Sequence, residues 1–318
     1  MAGLSYTNLR FEDLQGWADD NHRAALDVFR TTCADQALSE LAAIAPVARG
    51  FFEDHFCPVL IEDGAAAVFT AYYEPELDAR RTKDAVFCYP LYAVPDDLDP
   101  ATPYFTRHQI ESDELLAGRG LEIAWLADPV DVFFLHVQGS GRLRLSDGDV
   151  MRVGFGAKNG HPYTSIGKAL IARGVFDADS VSPEAIKAWV QQNGQAGRAL
   201  LWENESYVFF REASEVPADQ GPIGAMGKPV TSGRSIAVDP DITPLGLPVW
   251  IEKHGATPMN RLMVAQDIGS AIKGAQRADI FFGTGAAAGK QAGQIKDGGR
   301  MSVLMPLAMA DDLAKGQD

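Results

Sequence analysis

Two aspartates, Asp267 and Asp279, mark one short segment, AQDIGSAIKGAQRADIFFGTG (265–285), with glycines and basic residues between them. Two carboxyl groups can divide acid and base roles when their surroundings push their pKa values apart. Asp279 is followed by Ile280 and two phenylalanines, so we expect burial to disfavour its ionised form. Asp267 is followed by a glycine turn with exposed amides and lies near Lys273, which favours a charged carboxylate.

A third aspartate, Asp239, also follows a short apolar run, SIAV. Any one such carboxylate is typical of a simple turn cap. Three of them, each after a strand-like pattern, favour a shared site over three separate turn caps, because a barrel would bring these strand ends onto one rim. We therefore interpret Asp279 as a candidate acid and Asp267 as its orienting or stabilising partner.

The sequence lacks the motifs of several other catalytic and ligand-binding sites. Ser140 lies between glycines in QGSGR, but no GxSxG elbow surrounds it. The segment GTGAAAGK (283–290) differs from a phosphate-binding loop, because Gln291 follows the lysine. The three cysteines form no CxxC pair and the six histidines no HExxH, so we expect neither a metal nor a cofactor.

Composition excludes further classes. The net charge of −15 argues against nucleic acid as a partner, since nucleic-acid binding needs clustered Lys and Arg. No apolar stretch reaches the ~18–20 residues that span a membrane. The N-terminal MAGLSYTNLRFEDLQGW has neither the basic nor the apolar region of a signal peptide. We expect a cytoplasmic chain or one whose export signal has been removed.

Helices are predicted in two parts of the chain. The apolar spacing within residues 19–45 is typical of a helical packing face. Two more helices are expected over 164–174 and 183–193, the second with Ser182 as N-cap and Pro183 at its first position.

Strands are predicted elsewhere. The run AAAVFTAYYEPEL (65–77) places Thr70 and Tyr72 on one strand face and Tyr73 on the other. Residues 130–155 are predicted as consecutive strands with a hairpin turn at Asp147-Gly148. Short β-rich runs between Gly/Pro turns after residue 205 favour a barrel or a sandwich.

Four blocks, in this order along the chain, resemble one family. FTAYYEPEL and VFFLHVQGSGRLRLSDG are similar to two signature blocks of the membrane-bound lytic murein transglycosylase A (MltA) family. GPIGAMGKPVTSGRSIAVDPDITPLGLPVWIE and LMVAQDIGSAIKGAQRADIFFGTGAAAGKQAGQIKDGGRMSVLMP resemble its three-aspartate (3D) domain. The resemblance covers most of residues 65–306.

The resemblance implies a lyase that cleaves the β-1,4 bond between N-acetylmuramic acid and N-acetylglucosamine in peptidoglycan. The muramyl C6 hydroxyl attacks C1 and leaves a 1,6-anhydro end. Asp279 would be the single catalytic acid and base, supported by Asp267. The implied fold is mainly β with flanking helices. A double-psi β-barrel with N-terminal helices would comprise residues 1–87 and 216–318, with an inserted β-barrel-like domain at 88–215 and a glycan groove between them.

The resemblance also suggests substrate-binding residues and a cellular setting. We expect glycan strands of peptidoglycan as the partner, association with the cell-wall synthesis or degradation machinery, a monomer, and a periplasmic location associated with the outer membrane. The candidate substrate-binding residues are Thr70, Tyr72, Tyr73, Gln138, Ser140, Arg142, Ser235, Asp239, Gln266, Gly269 and Lys273.

Two other interpretations stay open. A non-catalytic peptidoglycan-binding protein would keep the aspartates as turn residues, but it would lack the blocks at 70–75 and 138–142. A two-aspartate protease on a related barrel would need a D-T/S-G signature, and Ile268 stands where its hydroxyl residue is expected.

Overall fold

The computed structural model describes residues 3–177 and 180–315 of the chain. It is a mainly β protein with helices, and it divides into two compact units. The first unit comprises Met1–Tyr72, Ala218–Gly283 and Ile295–Asp318. The second unit comprises Tyr73–Pro217 and Thr284–Gln294.

The β-strands of the described residues are between two and ten residues long. They are β1 (Ser5–Asn8), β2 (Phe56–Glu62), β3 (Val68–Glu74), β4 (Glu76–Arg80), β5 (Tyr89–Tyr92), β6 (Glu122–Leu126), β7 (Ser140–Arg144), β8 (Val150–Lys158), β9 (Val208–Glu212), β10 (Ser235–Val238), β11 (Pro248–Lys253), β12 (Met259–Ile268), β13 (Arg277–Thr284), β14 (Lys296–Asp297) and β15 (Gly299–Pro306).

The helices are also short, and none of those described has the length and hydropathy that crossing a membrane needs. They are α1 (His22–Thr32), α2 (Gln36–Ile44), α3 (Ala48–His55), α4 (Arg107–Glu111), α5 (Pro129–Gln138), α6 (Ile166–Ala172), α7 (Pro183–Gln192), α8 (Gly194–Trp202), α9 (Gly285–Ala292) and α10 (Leu307–Lys315).

A nine-stranded sheet with the order β1-β2-β15-β11-β12-β10-β13-β3-β14 underlies the first unit. One face of the sheet buries Ile236, Ala265 and Ile280 in an apolar core. On the other face, Leu262 and Val264 pack against the aromatic side chains of α1 and α3. The alternation of side chains along β12 therefore decides which of these two apolar clusters each residue packs into.

A six-stranded sheet with the order β5-β6-β4-β7-β8-β9 forms the frame of the second unit. An isolated parallel bridge between Ala93 and Phe210 joins the chain after β5 to the edge strand β9. The helices α5, α6, α7 and α8 pack together through a separate apolar cluster that includes Phe133 and Leu170.

The prediction of strands throughout residues 130–155 is wrong for residues 130–138, which form α5. Asp128 begins this helix by accepting a hydrogen bond from the Val130 amide at 2.9 Å. Gly139 ends it with a φ of 77°. The helix buries five of its ten residues, and these lie around more than half of its circumference rather than along one narrow stripe. The sequence therefore lacks the periodicity that separates a helix from a buried strand.

Most other predicted elements are confirmed. The β7–β8 hairpin turns at Asp147-Gly148, where Gly148 has a φ of 91°. Ser182 caps α7 by accepting from the Ala185 amide at 3.1 Å. The helix α8 was not predicted: Gly194, expected only as the stop after α7, begins it directly.

Candidate active site

The two aspartates of the opening segment lie in one row of the first unit's sheet. Ala237 of β10 pairs with Asp267 of the parallel strand β12 and with Asp279 of the antiparallel strand β13. Residues that pair directly across strands present their side chains on the same face. Asp267 and Asp279 therefore share one face of the sheet, with the small side chain of Ala237 between them.

A β-bulge in β12 puts Asp267 on that face. Ile236 pairs with Ala265, but the next residue, Ala237, pairs with Asp267, so that Gln266 is the extra residue. If the same residues formed a regular strand without the bulge, Asp267 would lie two positions after Ala265 on the same face, which packs into the apolar core. Bulges re-aim side chains in this way and are frequent beside active sites.

Hydrogen bonds to three hydroxyl groups hold the bulge residue Gln266. Its Nε2 donates to Thr31 Oγ1 at 3.1 Å and to Thr32 Oγ1 at 3.0 Å, both at the end of α1. Its Oε1 accepts from the hydroxyl of Ser235. Gln266 and Ser235 are only 1% and 0% exposed, and their side chains bind each other, so that their contact with substrate stays a prediction.

Asp279 keeps one carboxylate oxygen free. Its Oδ1 accepts a hydrogen bond from Thr70 Oγ1 at 2.5 Å. Among the described residues, no group donates to its Oδ2. A proton on Oδ2 can therefore pass directly to a bound substrate.

Arg277 fixes the direction of the Thr70 hydrogen bond. Its Nη2 donates to Thr70 Oγ1 at 2.8 Å, and since a guanidinium can only donate, the single hydroxyl proton of Thr70 must point at Asp279. The sequence analysis did not assign a role to Arg277. The signal was present, because a residue two positions before Asp279 on a strand lies on the same face.

Asp267, in contrast, has both oxygens engaged. Its Oδ2 accepts from the Tyr72 hydroxyl at 2.8 Å. Its Oδ1 accepts from the backbone amides of Ala225 at 3.1 Å and Ile268 at 2.9 Å. Hydrogen bonds of this kind favour a carboxylate over a carboxylic acid and fix its orientation.

Burial raises the pKa of both carboxyl groups. For Asp279, desolvation is the largest cause; the hydrogen bond from Thr70 and the charge of Arg277 oppose it, and the negative charge of Asp267 adds to it. For Asp267, desolvation again raises the pKa against the three hydrogen bonds described above. Protein atoms surround both groups, yet each side chain keeps a partial solvent exposure through which a substrate can reach it.

The third aspartate belongs to a turn. Asp239 is 5% exposed, and its carboxylate accepts from Lys273 Nζ at 2.8 Å and from the Gly274 amide at 3.0 Å. Although desolvation acts to raise its pKa, these hydrogen bonds hold the pKa of Asp239 below its ordinary value. The expectation that Lys273 keeps Asp267 charged is wrong, because Lys273 pairs with Asp239 instead. That Asp239 and Lys273 contact the substrate stays a prediction.

Gly269 lies in the turn that follows Asp267. Its carbonyl accepts from the Ile272 amide at 2.9 Å, and a Cβ at this position would come within 2.8 Å of Ile272 Cγ1. The turn thus needs a glycine for close approach. That Gly269, Thr70 and Tyr72 also contact the substrate stays a prediction.

Four predicted substrate-binding residues lie in the second unit. The Tyr73 amide donates to Gln138 Oε1 at 3.0 Å, which ties β3 to the end of α5. The Tyr73 ring packs closely against Gly289. A Cβ atom at position 289 would lie only 2.7 Å from the nearest ring atoms of Tyr73. Ser140 is buried, and Arg142 Nε donates to Glu74 Oε2 at 2.8 Å.

Glu74 is a buried carboxylate that the sequence analysis did not single out. It is 1% exposed, and its Oε1 accepts from Arg152 Nη2 at 2.8 Å. Its Oε2 accepts from Thr284 Oγ1 at 2.9 Å as well as from Arg142. The pair of guanidinium groups on one carboxylate fixes the position of Arg142. Among the described residues, no group of three or more His, Cys, Asp or Glu side chains could hold a metal ion.

The chain is similar to known proteins in sequence and in fold. Residues 68–211 match the family model described as the MltA specific insert domain, and residues 234–305 match that of the 3D domain. The chain is 34% identical to a membrane-bound lytic murein transglycosylase from Agrobacterium tumefaciens, whose crystal structure superposes with a TM-score of 0.87 over 97% of this chain and 99% of that one. The chain belongs to the MltA family.

Two further relatives agree with this assignment. The membrane-bound lytic murein transglycosylase A of Vibrio cholerae is 36% identical over 245 residues, which are 74% of this chain and 64% of that protein. The chain thus spans less than two thirds of that relative's length. The chain is also 30% identical in sequence to Escherichia coli MltA. The crystal structure of that protein with bound chitohexaose superposes with a TM-score of 0.74 over 92% of this chain and 90% of that one. The resemblance inferred from the sequence is confirmed.

Proposed function

We propose that this protein is a lytic transglycosylase of peptidoglycan. Its reaction breaks the β-1,4 bond between N-acetylmuramic acid and N-acetylglucosamine and leaves a 1,6-anhydromuramoyl end. The observation that carries the proposal is the contrast between the two carboxyl groups. Asp279 has a raised pKa and one oxygen free of hydrogen bonds, whereas both oxygens of Asp267 are engaged.

In the first step, Asp279 acts as a general acid. Its protonated carboxyl gives the proton to the glycosidic oxygen while the bond from that oxygen to C1 of the muramyl residue breaks. The raised pKa makes the protonated form of Asp279 more populated than that of an ordinary aspartate at the same pH, which favours its role as an acid. Positive charge develops at C1, and the neighbouring carboxylate Asp267 lies on the same face of the sheet to stabilise it.

In the second step, the same residue acts as a base. The Asp279 carboxylate accepts the proton of the C6 hydroxyl as that oxygen bonds to C1, so that the residue regains its starting protonation state. The nucleophile belongs to the substrate, so no water is consumed and no second carboxylate is needed to activate one. Thr70 and Tyr72 keep the two carboxyl groups in place through both steps.

We extend the proposal to the setting of the enzyme. The names of its relatives, membrane-bound and murein-specific, support a periplasmic site of action associated with the outer membrane. The chitohexaose bound to the Escherichia coli relative supports a glycan ligand, to which Tyr73, Gln138, Ser140 and Arg142 would contribute. We also propose that the aspartates lie on a double-psi β-barrel and that the enzyme acts as a monomer beside the cell-wall machinery.

Mass spectrometry of the products from purified sacculi tests the reaction. Wild-type protein should release muropeptides with anhydro ends, which are lighter by one water than hydrolysed muropeptides. Asp279→Asn should release none. Products with reducing ends would show a hydrolase instead. The absence of any product from folded wild-type protein would favour a peptidoglycan-binding protein without catalysis.

A further inference from the structure

The outward face of the second unit's sheet carries basic and aromatic side chains in direct contact. Arg80 of β4 pairs with Trp125 of β6. The Arg80 guanidinium lies 4.1 Å from the centre of the Phe87 ring, and Lys83 Nζ lies 5.3 Å from that of Trp125. With the exposed residues between them, these side chains form a basic–aromatic patch. Its members are Arg80, Arg81, Lys83, Val86, Phe87 and Trp125.

Two of the three positive charges of this patch are not neutralised locally, whereas the third, Arg80, interacts with Asp84 and adds to the backbone hydrogen bonds that lower the pKa of that carboxyl group. Arg81 and Lys83 are exposed, and neither forms an ion pair with any residue that the structure describes. The nearby carboxylate of Asp84 accepts hydrogen bonds from the Val86 and Phe87 amides, both at 2.7 Å, and so serves its own turn. The patch is therefore a positive surface on a chain whose net charge is −15.

The aromatic part of the patch faces away from the core. Ala124 and Leu126, the neighbours of Trp125 on β6, are buried in the apolar core of the second unit. Because side chains alternate along a strand, the Trp125 ring lies on the opposite, partly exposed face. Beside it, Val86 is 63% exposed. The core accounts for neither side chain, and exposed aromatic and apolar groups together mark a binding surface.

We propose that the basic–aromatic patch is a second, non-catalytic binding surface for the peptide-bearing strands of peptidoglycan. This inference rests on the proposed function for the class of substrate. Trp125, beneath the Lys83 ammonium, and the exposed Val86 offer apolar contacts to a sugar ring, and Arg81 and Lys83 meet the carboxylates of the stem peptides. A second contact on the same polymer raises the effective concentration of glycan at the enzyme.

Charge favours this partner over a membrane or a nucleic acid. Both are dense polyanions, whose approach the net charge of −15 on the chain as a whole disfavours. A membrane-binding basic cluster uses about four to eight Lys and Arg residues, whereas this patch has three. Stem peptides carry few, separated carboxylates, which match two or three cations placed beside apolar side chains.

Binding to sacculi tests the proposal in an Asp279→Asn background, so that no polymer is degraded. The double variant Arg81→Ala/Lys83→Ala should bind intact sacculi roughly three- to tenfold more weakly, the effect of two exposed charge pairs. The matched control, Arg23→Ala/Lys168→Ala, removes two exposed positive charges elsewhere and should bind as the parent does. Melting temperatures check that all variants are folded.

Each outcome decides the question. Sacculi stripped of stem peptides by an amidase should bind the parent and the Arg81/Lys83 variant equally. An equal loss on intact and stripped sacculi would overturn the assignment to stem-peptide carboxylates. Equal binding of the test and control variants to intact sacculi would overturn the patch altogether, as would a loss seen only with anionic lipid vesicles. Anhydro products from the wild type establish the catalytic proposal separately, whichever result the binding gives.

Discussion

Asp267 and Asp279 flank Ala237 in a single row across three strands, so that two carboxyl groups with raised pKa values face the same side of one sheet. Their hydrogen bonds separate their roles. Asp267 is held by three donors, and Asp279 by Thr70 alone. This difference in hydrogen bonding between the two carboxyl groups underlies the predictions for Asp279, Asp267 and Thr70 below.

Asp279→Asn should abolish turnover and at the same time stabilise the fold at neutral pH. Because the folded-state pKa of Asp279 is raised, its favourable contribution is present below the unfolded-state value of 3.8 and is lost as pH rises through the folded-state pKa. At pH 7 the buried charge is a cost, and removing it should raise stability by about 0.5–2 kcal/mol. Thermal unfolding at pH 7 and at about pH 4 checks this; a gain of the same size at both would contradict the sign.

Asp267→Asn should shift the pH profile of kcat/KM toward acid. The negative charge of Asp267 raises the pKa of Asp279, so its removal lowers that pKa, and the alkaline fall in activity should begin at lower pH. Asp239→Asn is the matched control, since Asp239 is bound to Lys273 and the Gly274 amide. It should reduce stability and leave the alkaline limb where it is. A shift in both variants would mean that the effect is not specific to the pair.

Thr70→Val should move the alkaline limb of the kcat/KM pH profile to higher pH, opposite to the effect of Asp267→Asn. The Thr70 hydroxyl lowers the pKa of Asp279, and valine keeps the shape of threonine without the donor, so that pKa should rise. We also expect kcat to fall roughly tenfold, corresponding to about 1.4 kcal/mol of lost orientation. Thr70→Ser keeps the hydroxyl and should restore the wild-type profile. An unchanged limb in the valine variant would show that the hydrogen bond does not set the pKa.

Gln266→Met should impair catalysis although Gln266 is almost fully buried. The change leaves the buried hydroxyls of Thr32 and Ser235 without this partner and loosens the bulge that aims Asp267. We expect a loss of about 1–3 kcal/mol in unfolding free energy together with a lower kcat. Asn159→Leu removes a comparable buried amide in the second unit. It should reduce the unfolding free energy by a similar amount with little effect on kcat. Both kcat values are measured at a temperature where both variants are folded. Equal losses of kcat in the two variants would show that the bulge has no special role in catalysis.

Glu74→Gln should destabilise the protein far more than Asp78→Asn. Glu74 is buried against Arg142 and Arg152, and neutralising one partner of a buried ion pair costs about 3–5 kcal/mol. Asp78 pairs with Arg144 at 2.9 Å on the surface, where a pair contributes about 0–1 kcal/mol. Urea unfolding of both variants compares them directly. Similar midpoints would indicate that water reaches the Glu74 cluster.

The parts of the site that depend on local periodicity were predictable from the sequence. Alternation along β3 placed Thr70 and Tyr72 on one face, and the structure sets them against Asp279 and Asp267. The apolar residues after Asp279 indicated its desolvation, which the structure gives as the main cause of its raised pKa. These inferences needed no knowledge of which strands are neighbours.

The parts that depend on strand pairing were not predictable. Lys273 follows Asp267 closely in sequence, but the fold brings it to Asp239 instead. The bulge at Gln266 exists only relative to its partner strand β10, so a single strand's pattern cannot reveal it. The partners of the buried Gln266 side chain, the hydroxyls of α1 and Ser235, likewise belong to other elements of the fold.

The bulge makes the site depend on the number of residues in a strand as well as on their identity. An insertion of one residue between Gln266 and Asp267, with the bulge kept, would bring Asp267 opposite Val238, whose side chain packs into the core, and so turn the carboxylate toward the core. Such a chain would retain all three aspartates of its motif. During the divergence of a family with this fold, one gained codon could thus separate the motif from the reaction, leaving descendants that look like enzymes in an alignment and bind without cutting.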